Sequence, residues 1–428
     1  MSLAQDETER IADLPLSALP ITGAIICALC GFAGSVGWVF YILGLKGLPA
    51  QDWMVFYTAA RAFLDGNLSV IFDGADLTAA LNTRFIDWLA SPLLLQPWVY
   101  PPSFLLLFMP FGLLPPAASF VLFQATGLVA AIVAVLRYAK TRHCRQMLIS
   151  SLLISPAVPF NVIYGQNALF TSTLLIAGFG SLVRHPLLSG ALLGLLTYKP
   201  QFWLMVPVAL VAARQWRSLA SAIVVALFIA LVSLAVFGAE AWRAWLDLAT
   251  GGEQYQGWAV TGRRNGISVF ACAILLGAPA VLSNLVQAAA ITVSAAFVYC
   301  AFRQSARGSL SLCVLLAGTI LAAPHASAAD AVLLEASAAL FFATATTGKF
   351  RPLQAILAAA VWLCPFLNPP SVFSAGMINP VLLLLFLGCV VMVMRGTPVS
   401  GSVPAVPAPE RASEFSGLRC KLDRVRSL

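Results

Sequence analysis

Residues 103–136, SFLLLFMPFGLLPPAASFVLFQATGLVAAIVAVL, carry no charged side chain and run straight into RYAKTRHCR at residues 137–145. The apolar part is broken at Pro110 and at Pro115-Pro116, which divides it into a short first piece and one full membrane crossing. The segment after it holds Arg137, Lys140, Arg142 and Arg145 and no acid, the charge signature of a cytoplasmic loop. This alternation of apolar run and short basic loop recurs along the whole chain.

Of 428 residues, 60% are hydrophobic and 10% charged, with a mean hydropathy of +0.89. So few polar side chains cannot cover a water-soluble globule, and the class is a polytopic membrane protein. The expected fold is all-α, a bundle of transmembrane helices. Further apolar runs lie at 19–45, 147–162, 167–183, 187–198, 201–213, 218–238, 267–302, 309–323, 329–347, 352–367 and 377–394. Several are too short to cross straight, so they tilt, dip or break. Counting 266–302 as a dipping piece plus one span gives about twelve spanning helices with both termini cytoplasmic.

The loops agree with that count. Arg137 to Arg145, Arg184, Arg214 and Arg217, Arg303 and Arg307, Lys349 and Arg351, and Arg395 share one side, without acids. Asp52, Asp65, Asp73, Asp76, Asp87, Glu240, Asp247, Glu253, Asp330 and Glu335 fall on or next to the other. The chain therefore divides into a cytoplasmic tail at 1–18, a membrane domain at 19–395 with a polar first periplasmic loop at 46–99, and a disordered basic tail at 396–428. Residues 19–45 are too long for a cleaved leader and are expected to stay as the first span. The net charge of +8 sits in the short basic loops and the tail, where it suits membrane lipids; a nucleic acid partner is not implied. The nine cysteines lie mostly inside apolar segments and predict no disulfide framework.

The candidate chemistry centres on Gln51–Gly66, QDWMVFYTAARAFLDG. Asp52 stands where the first span hands over to water, and half-apolar surroundings there raise a carboxyl towards the pKa of a useful base. An ordinary interfacial aspartate is the simpler reading of the local pattern. Tyr57, Arg61 and Asp65 follow at spacings of four to five residues, read as roughly one helical face with Asp52.

Lys199, Arg243, Arg263 and Arg264 go against the usual charge bias of an outer face. Each fits an anionic ligand such as a phosphate, or pairs with an acid, which for Arg243 means Asp247 or Glu253. Tyr164-Gly165-Gln166-Asn167 interrupts two apolar runs; its amides either hydrogen-bond sugar hydroxyls or, for Asn167, cap the next helix. His325 and Asp330 flank a proline break at 323–330, with Glu335 following. Ionisable groups at membrane depth are functional candidates, although Asp330 can equally pair with a basic neighbour. There is no phosphate-gripping glycine loop, no His-Glu-x-x-His and no Gly-x-Ser-x-Gly, so no metal or cofactor is called for.

Taken in order, Phe56-Tyr57-Thr-Ala-Ala60 with Gly66, Tyr100-Pro101-Pro102, Gly165-Gln166-Asn167, Tyr198-Lys199-Pro200, Phe237-Gly238 with Trp242-Arg243, and the break leading to Asp330 resemble glycosyltransferase family 87. The likeness runs from about Asp52 to Met394. It implies a GT-C type membrane enzyme of the plasma (inner) membrane that moves a hexose, mannose foremost, from a polyprenyl-phosphate donor to a glycolipid or glycan acceptor on the periplasmic face, with inversion. In such enzymes an acid of the first outer loop is the base, and Asp52 matches it. The resemblance further implies Lys199 with Arg263 or Arg264 at the donor phosphate, and Tyr57, Arg61, Tyr100, Gln166, Asn167, His325 and Asp330 around sugar or acceptor. Ala329 departs from the pattern, which has an aromatic before the late aspartate. A transporter or flippase is the rival class, disfavoured by the long polar first loop and the lack of a visible internal repeat.

Overall fold

The computed structural model describes residues 50–89, 91–250, 267–306, 308–345, 352–364 and 378–396. The expected first span at 19–45, the tail at 1–18, the tail at 396–428 apart from Gly396, and Arg263, Arg264, Glu253, Arg307, Lys349 and Arg351 lie outside the described residues. Contacts divide the chain into residues 1–394 and 395–428, and all but the last two described residues belong to the first unit.

Among the described residues every regular element is helical. In chain order they are α1 (Gln51–Leu64), α2 (Leu68–Phe72), α3 (Gly74–Arg84), α4 (Pro102–Gly112), α5 (Pro116–Leu136), α6 (Arg142–Leu153), α7 (Ala157–Tyr164), α8 (Ala168–Ser181) and α9 (Pro186–Leu195). A 3-10 turn over Leu196–Tyr198 leads to α10 (Pro200–Trp203), α11 (Met205–Ala212), α12 (Trp216–Ala249), α13 (Val269–Leu275), α14 (Ala280–Gln304) and α15 (Ser309–Ala322). A second 3-10 turn over Ala328–Ala331 opens α16 (Val332–Ala345), followed by α17 (Pro352–Trp362) and α18 (Ile378–Gly396).

Three of these, α5, α12 and α14, are long and apolar enough to cross a membrane, and the bent pair α6 and α7 makes a fourth if taken as one span. Seven shorter apolar segments of 10–17 residues accompany them. The prolines act where the sequence places them: α4 ends after Pro110, and Pro116 opens α5. The short piece and the span expected at 266–302 correspond to the separate helices α13 and α14, of which α14 is long and apolar enough to cross. The run at 147–162 is not continuous, because the chain bends by 42° between α6 and α7. The run at 218–238 extends to Ala249, kinked at Gly238 with φ 80°.

The interior has two parts. The larger surrounds α15 and α16, where every residue from Leu310 to Ala322 is buried. An all-round apolar helix of this kind belongs at the centre of a bundle. The long helices α12 and α14 instead leave Leu227, Phe228, Leu231, Val281 and Leu285 exposed, a surface suited to lipid. They pack through small residues. A Cβ at Gly190 or Gly194 of α9 would lie 2.3 Å from Ser218 O or 2.6 Å from Ala222 O of α12, so only glycine permits that approach.

The second part is aromatic and lies where the polar first loop packs against α4. Phe56 lies 5.2 Å from Tyr100, 4.9 Å from Phe104 and 5.6 Å from Phe108 by ring centroids, and Trp53 stacks on Tyr57 at 5.1 Å. Such pairs add about 0.5–1.5 kcal/mol each beyond their burial. Within the polar first loop, α3 and the turn after it bury one face. Asp73 caps the helix by accepting from Ala75 N and Asp76 N, each at 2.9 Å, and Leu77, Leu81 and Phe85 are buried.

Candidate active site

The site forms where the loop after α7 meets the first turn of α1. Ala50, the residue before α1, sits in the left-handed region at φ 88°, and its N–H donates to the Ile163 carbonyl. That conformation costs a non-glycine residue about 1–2 kcal/mol, and the docked loop holds it in place. Gly165, also left-handed at φ 68°, closes α7. A Cβ there would lie 2.6 Å from Trp53 Cβ and 2.7 Å from Trp53 N. Gly165→Ala therefore combines a left-handed cost of about 1–2 kcal/mol with an overpacking cost of about 1–3 kcal/mol. Denaturant unfolding in detergent checks this; a variant as stable as the wild type shows that the loop can leave α1 freely.

The contact places the Gln166 amide on the Asp52 carboxylate, with Nε2 donating to Oδ2 at 2.6 Å. Gln166 Oε1 accepts from the Tyr100 hydroxyl at 3.3 Å. Gln166 is held from behind: its N–H donates to Asn161 O at 2.8 Å and its carbonyl accepts from Gln124 Nε2 at 3.4 Å. Asn161 Nδ2 in turn donates to Gln124 Oε1 at 2.7 Å. Each amide thus has a fixed orientation, so the group that meets Asp52 is a donor.

Asp52 itself keeps some accessible surface while its carboxyl is enclosed by protein. Burial pushes its pKa up from 3.8 to about 6; the Gln166 hydrogen bond and the Lys199 charge oppose the rise, and the Asp330 charge adds to it. Tyr100 is raised well above its usual value, first by burial and then by the Asp52 and Asp330 charges, so it stays a hydroxyl donor at neutral pH.

Lys199 and Asp330, 131 positions apart, form a buried ion pair of 2.7 Å with exposures of 3% and 5%. Lys199 is delivered by the 3-10 turn before α10, and its ammonium also lies 5.2 Å above the Phe202 ring. Asp330 uses its other oxygen to accept from Ser327 N at 2.9 Å and Ser327 Oγ at 3.0 Å, a capping box that fixes the start of the second 3-10 turn. The bland alternative for Asp330, pairing with a basic residue, is what the fold shows.

Asp52, Tyr100, Gln166, Lys199 and Asp330 are therefore brought together. Asn167 lies beside the Tyr100 hydroxyl, fully buried, without a well-aligned side-chain hydrogen bond. It stands at the N-cap position of α8 as expected, but its side chain makes no cap hydrogen bond; Asn161 Oδ1 accepts from Ala168 N at 3.0 Å instead. His325 is exposed on the loop that leads to Asp330.

Tyr57 and Arg61 do not share a face with Asp52. At 100° per residue they lie about 140° and about 180° around α1 from it. Tyr57 donates to Leu114 O at 2.9 Å, and Arg61 pairs with Asp65 at 3.0 Å. Arg243 meets Glu240 at 2.6 Å rather than Asp247. Gln124, Asn161 and Thr171 were not singled out in the sequence, and Tyr198 entered only as part of a matched stretch; Thr171 and Tyr198 are joined through their hydroxyls at 2.9 Å. Lone polar residues inside apolar runs were the available signal.

The model of glycosyltransferase family 87 matches residues 98–324. That span holds Tyr100, Gln124, Asn161, Gln166 and Lys199 and leaves Asp52 and Asp330 outside it. No curated protein and no solved structure matches the chain. With just over half of its length covered and an all-helical, membrane-type body around the matched residues, the chain belongs to glycosyltransferase family 87 and is a membrane glycosyltransferase.

Proposed function

We propose that the chain transfers a hexose, mannose being the first candidate, from a polyprenyl-phosphate carrier to a glycolipid or glycan hydroxyl on the extracytoplasmic face, with inversion. The carrying observation is one carboxylate, Asp52, oriented by Gln166 and set within electrostatic reach of the Lys199–Asp330 pair. Asp52 takes the proton of the acceptor hydroxyl as its oxygen attacks the anomeric carbon. The bond from that carbon to the phosphate oxygen breaks, and the lipid phosphate leaves with the electron pair. Lys199 spends one N–H on Asp330 and has two left for the departing phosphate, with Arg263 or Arg264 as its partner there.

An apolar cleft of about 240 Å³ supports a lipid-linked donor. Its walls include Pro101, Thr197, Pro200, Leu227, Trp242 and Trp245, among them close chain neighbours of Tyr100 and Lys199. About twelve crossings with cytoplasmic termini would set the basic loops on one side and the acids of the first loop on the other.

The test is transfer by the purified protein supplied with polyprenyl-phosphate sugars, or with nucleotide sugars, and a membrane-fraction acceptor. Transfer from the lipid-linked donor alone is expected. Transfer from the nucleotide sugar alone overturns the donor assignment, and vesicle flux without transfer supports a transporter instead.

A further inference from the structure

The bend between α6 and α7 leaves the first amides of α7 without partners inside their own helix. Pro156 has no N–H to satisfy, but Ala157 and Val158 do. Ala157 N donates at 2.7 Å to Oε1 of Glu335, a residue of α16 that is 1% exposed. Ser155 Oγ donates to the other carboxylate oxygen of Glu335 and accepts from Val158 N at 3.1 Å. One buried carboxylate thus holds the N-terminal end of α7 directly and through Ser155.

The opposite end of α7 is the site. Over its eight residues, about 12 Å of helix, α7 carries Asn161; Gly165 then closes it and Gln166 is delivered to Asp52. The 3-10 turn that holds Asp330 packs along the same short helix. A single segment, residues 327–335, therefore grips Lys199 through Asp330 and α7 through Glu335.

We propose that Glu335 is a positioning residue, which through α7 sets where the Gln166 amide meets the Asp52 carboxylate. Its meaning for catalysis rests on Asp52 being the reacting group, as proposed above, but its test needs no sugar. A hydrophobic carbodiimide modifies protonated carboxyls, and mass spectrometry reads the label at Asp52 as pH is varied. The charged and titratable groups around Asp52 are Lys199, Asp330 and Tyr100; none is itself substituted, and Tyr100 loses its hydrogen bond to Gln166 in Gln166→Leu, whereas Glu335→Ala leaves the Gln166 side chain in place.

Gln166→Leu removes a hydrogen bond to the charged form, so the labelling midpoint should rise by about 0.5–1 unit. Glu335→Ala should raise it in the same direction, and the double variant should rise no further than Gln166→Leu alone. Glu335→Gln, which keeps an oxygen for Ala157 N, should restore the midpoint to near the wild-type value. Should Glu335→Ala fail to accumulate, Ser155→Ala takes its place with a smaller shift of the same sign. A midpoint unmoved in the folded variant, or a Glu335 effect that persists undiminished when Gln166 is absent, overturns the proposal. Neither result bears on whether the protein transfers sugar, which the donor assay decides by itself.

Discussion

Replacing Asp52 by asparagine should slow sugar transfer by about 10²- to 10⁴-fold, the usual worth of a general base, while leaving the Gln166 contact able to form. The pH dependence separates this role from a structural one. In the wild type, burial sets the Asp52 pKa at about 6, so transfer should fall as pH drops through about 6 and the base becomes protonated. The Asp52→Asn variant should show no such limb. Unfolding does not explain the loss through this group. A carboxyl whose folded pKa lies above its unfolded value binds a proton more readily when folded, so it adds stability as pH falls from about 6 towards 4. Initial rates of the two proteins across pH 4.5–8 decide it (a range of about three and a half units around the limb). Equal rates at pH 7.5 remove Asp52 from the mechanism.

Breaking the Lys199–Asp330 pair should give the largest loss of stability. Lys199→Met or Asp330→Asn alone leaves one buried charge uncompensated, at a cost of about 3–5 kcal/mol. The double variant removes both charges and keeps an oxygen for the Ser327 cap, so most of that stability should return. Transfer should not return, because no ammonium remains to meet the donor phosphate. Denaturant midpoints in detergent read the first effect and transfer rates the second. Single variants as stable as the wild type contradict a dry ion pair, and an active double variant removes Lys199 from phosphate binding.

The two cases differ in how much of them the sequence shows. Asp52 draws notice because an acid beside an apolar run is rare, and Lys199 because a cation between apolar helices is rarer still. Their burial and partners are another matter. Asp330 lies 131 positions from Lys199, and Gln166 lies 114 positions from Asp52. No local pattern links residues so far apart. Tyr57 and Arg61 illustrate a different limit: close in the chain to Asp52, they are separated from it by the helical turn and engaged elsewhere.

The amide loop shows the same division. Gly165-Gln166-Asn167 was visible as an interruption, and Asn167 has the residue type of a cap, yet Asn161 does the capping because α7 ends in a left-handed glycine that folds the chain back over it. Glu335 looked like one more acid near the late break, and its role emerges only when α16 is packed against the bend at Pro156.

By itself the sequence determined the class, the helical build, the proline breaks and the handful of polar residues from which a site can be made. It could do so because apolar helices at membrane depth must satisfy their backbone internally, a local requirement that composition and spacing express directly. Which polar residue meets which was decided only by tertiary structure, since in a chain this uniformly apolar a buried carboxylate finds its donor through the packing of distant helices.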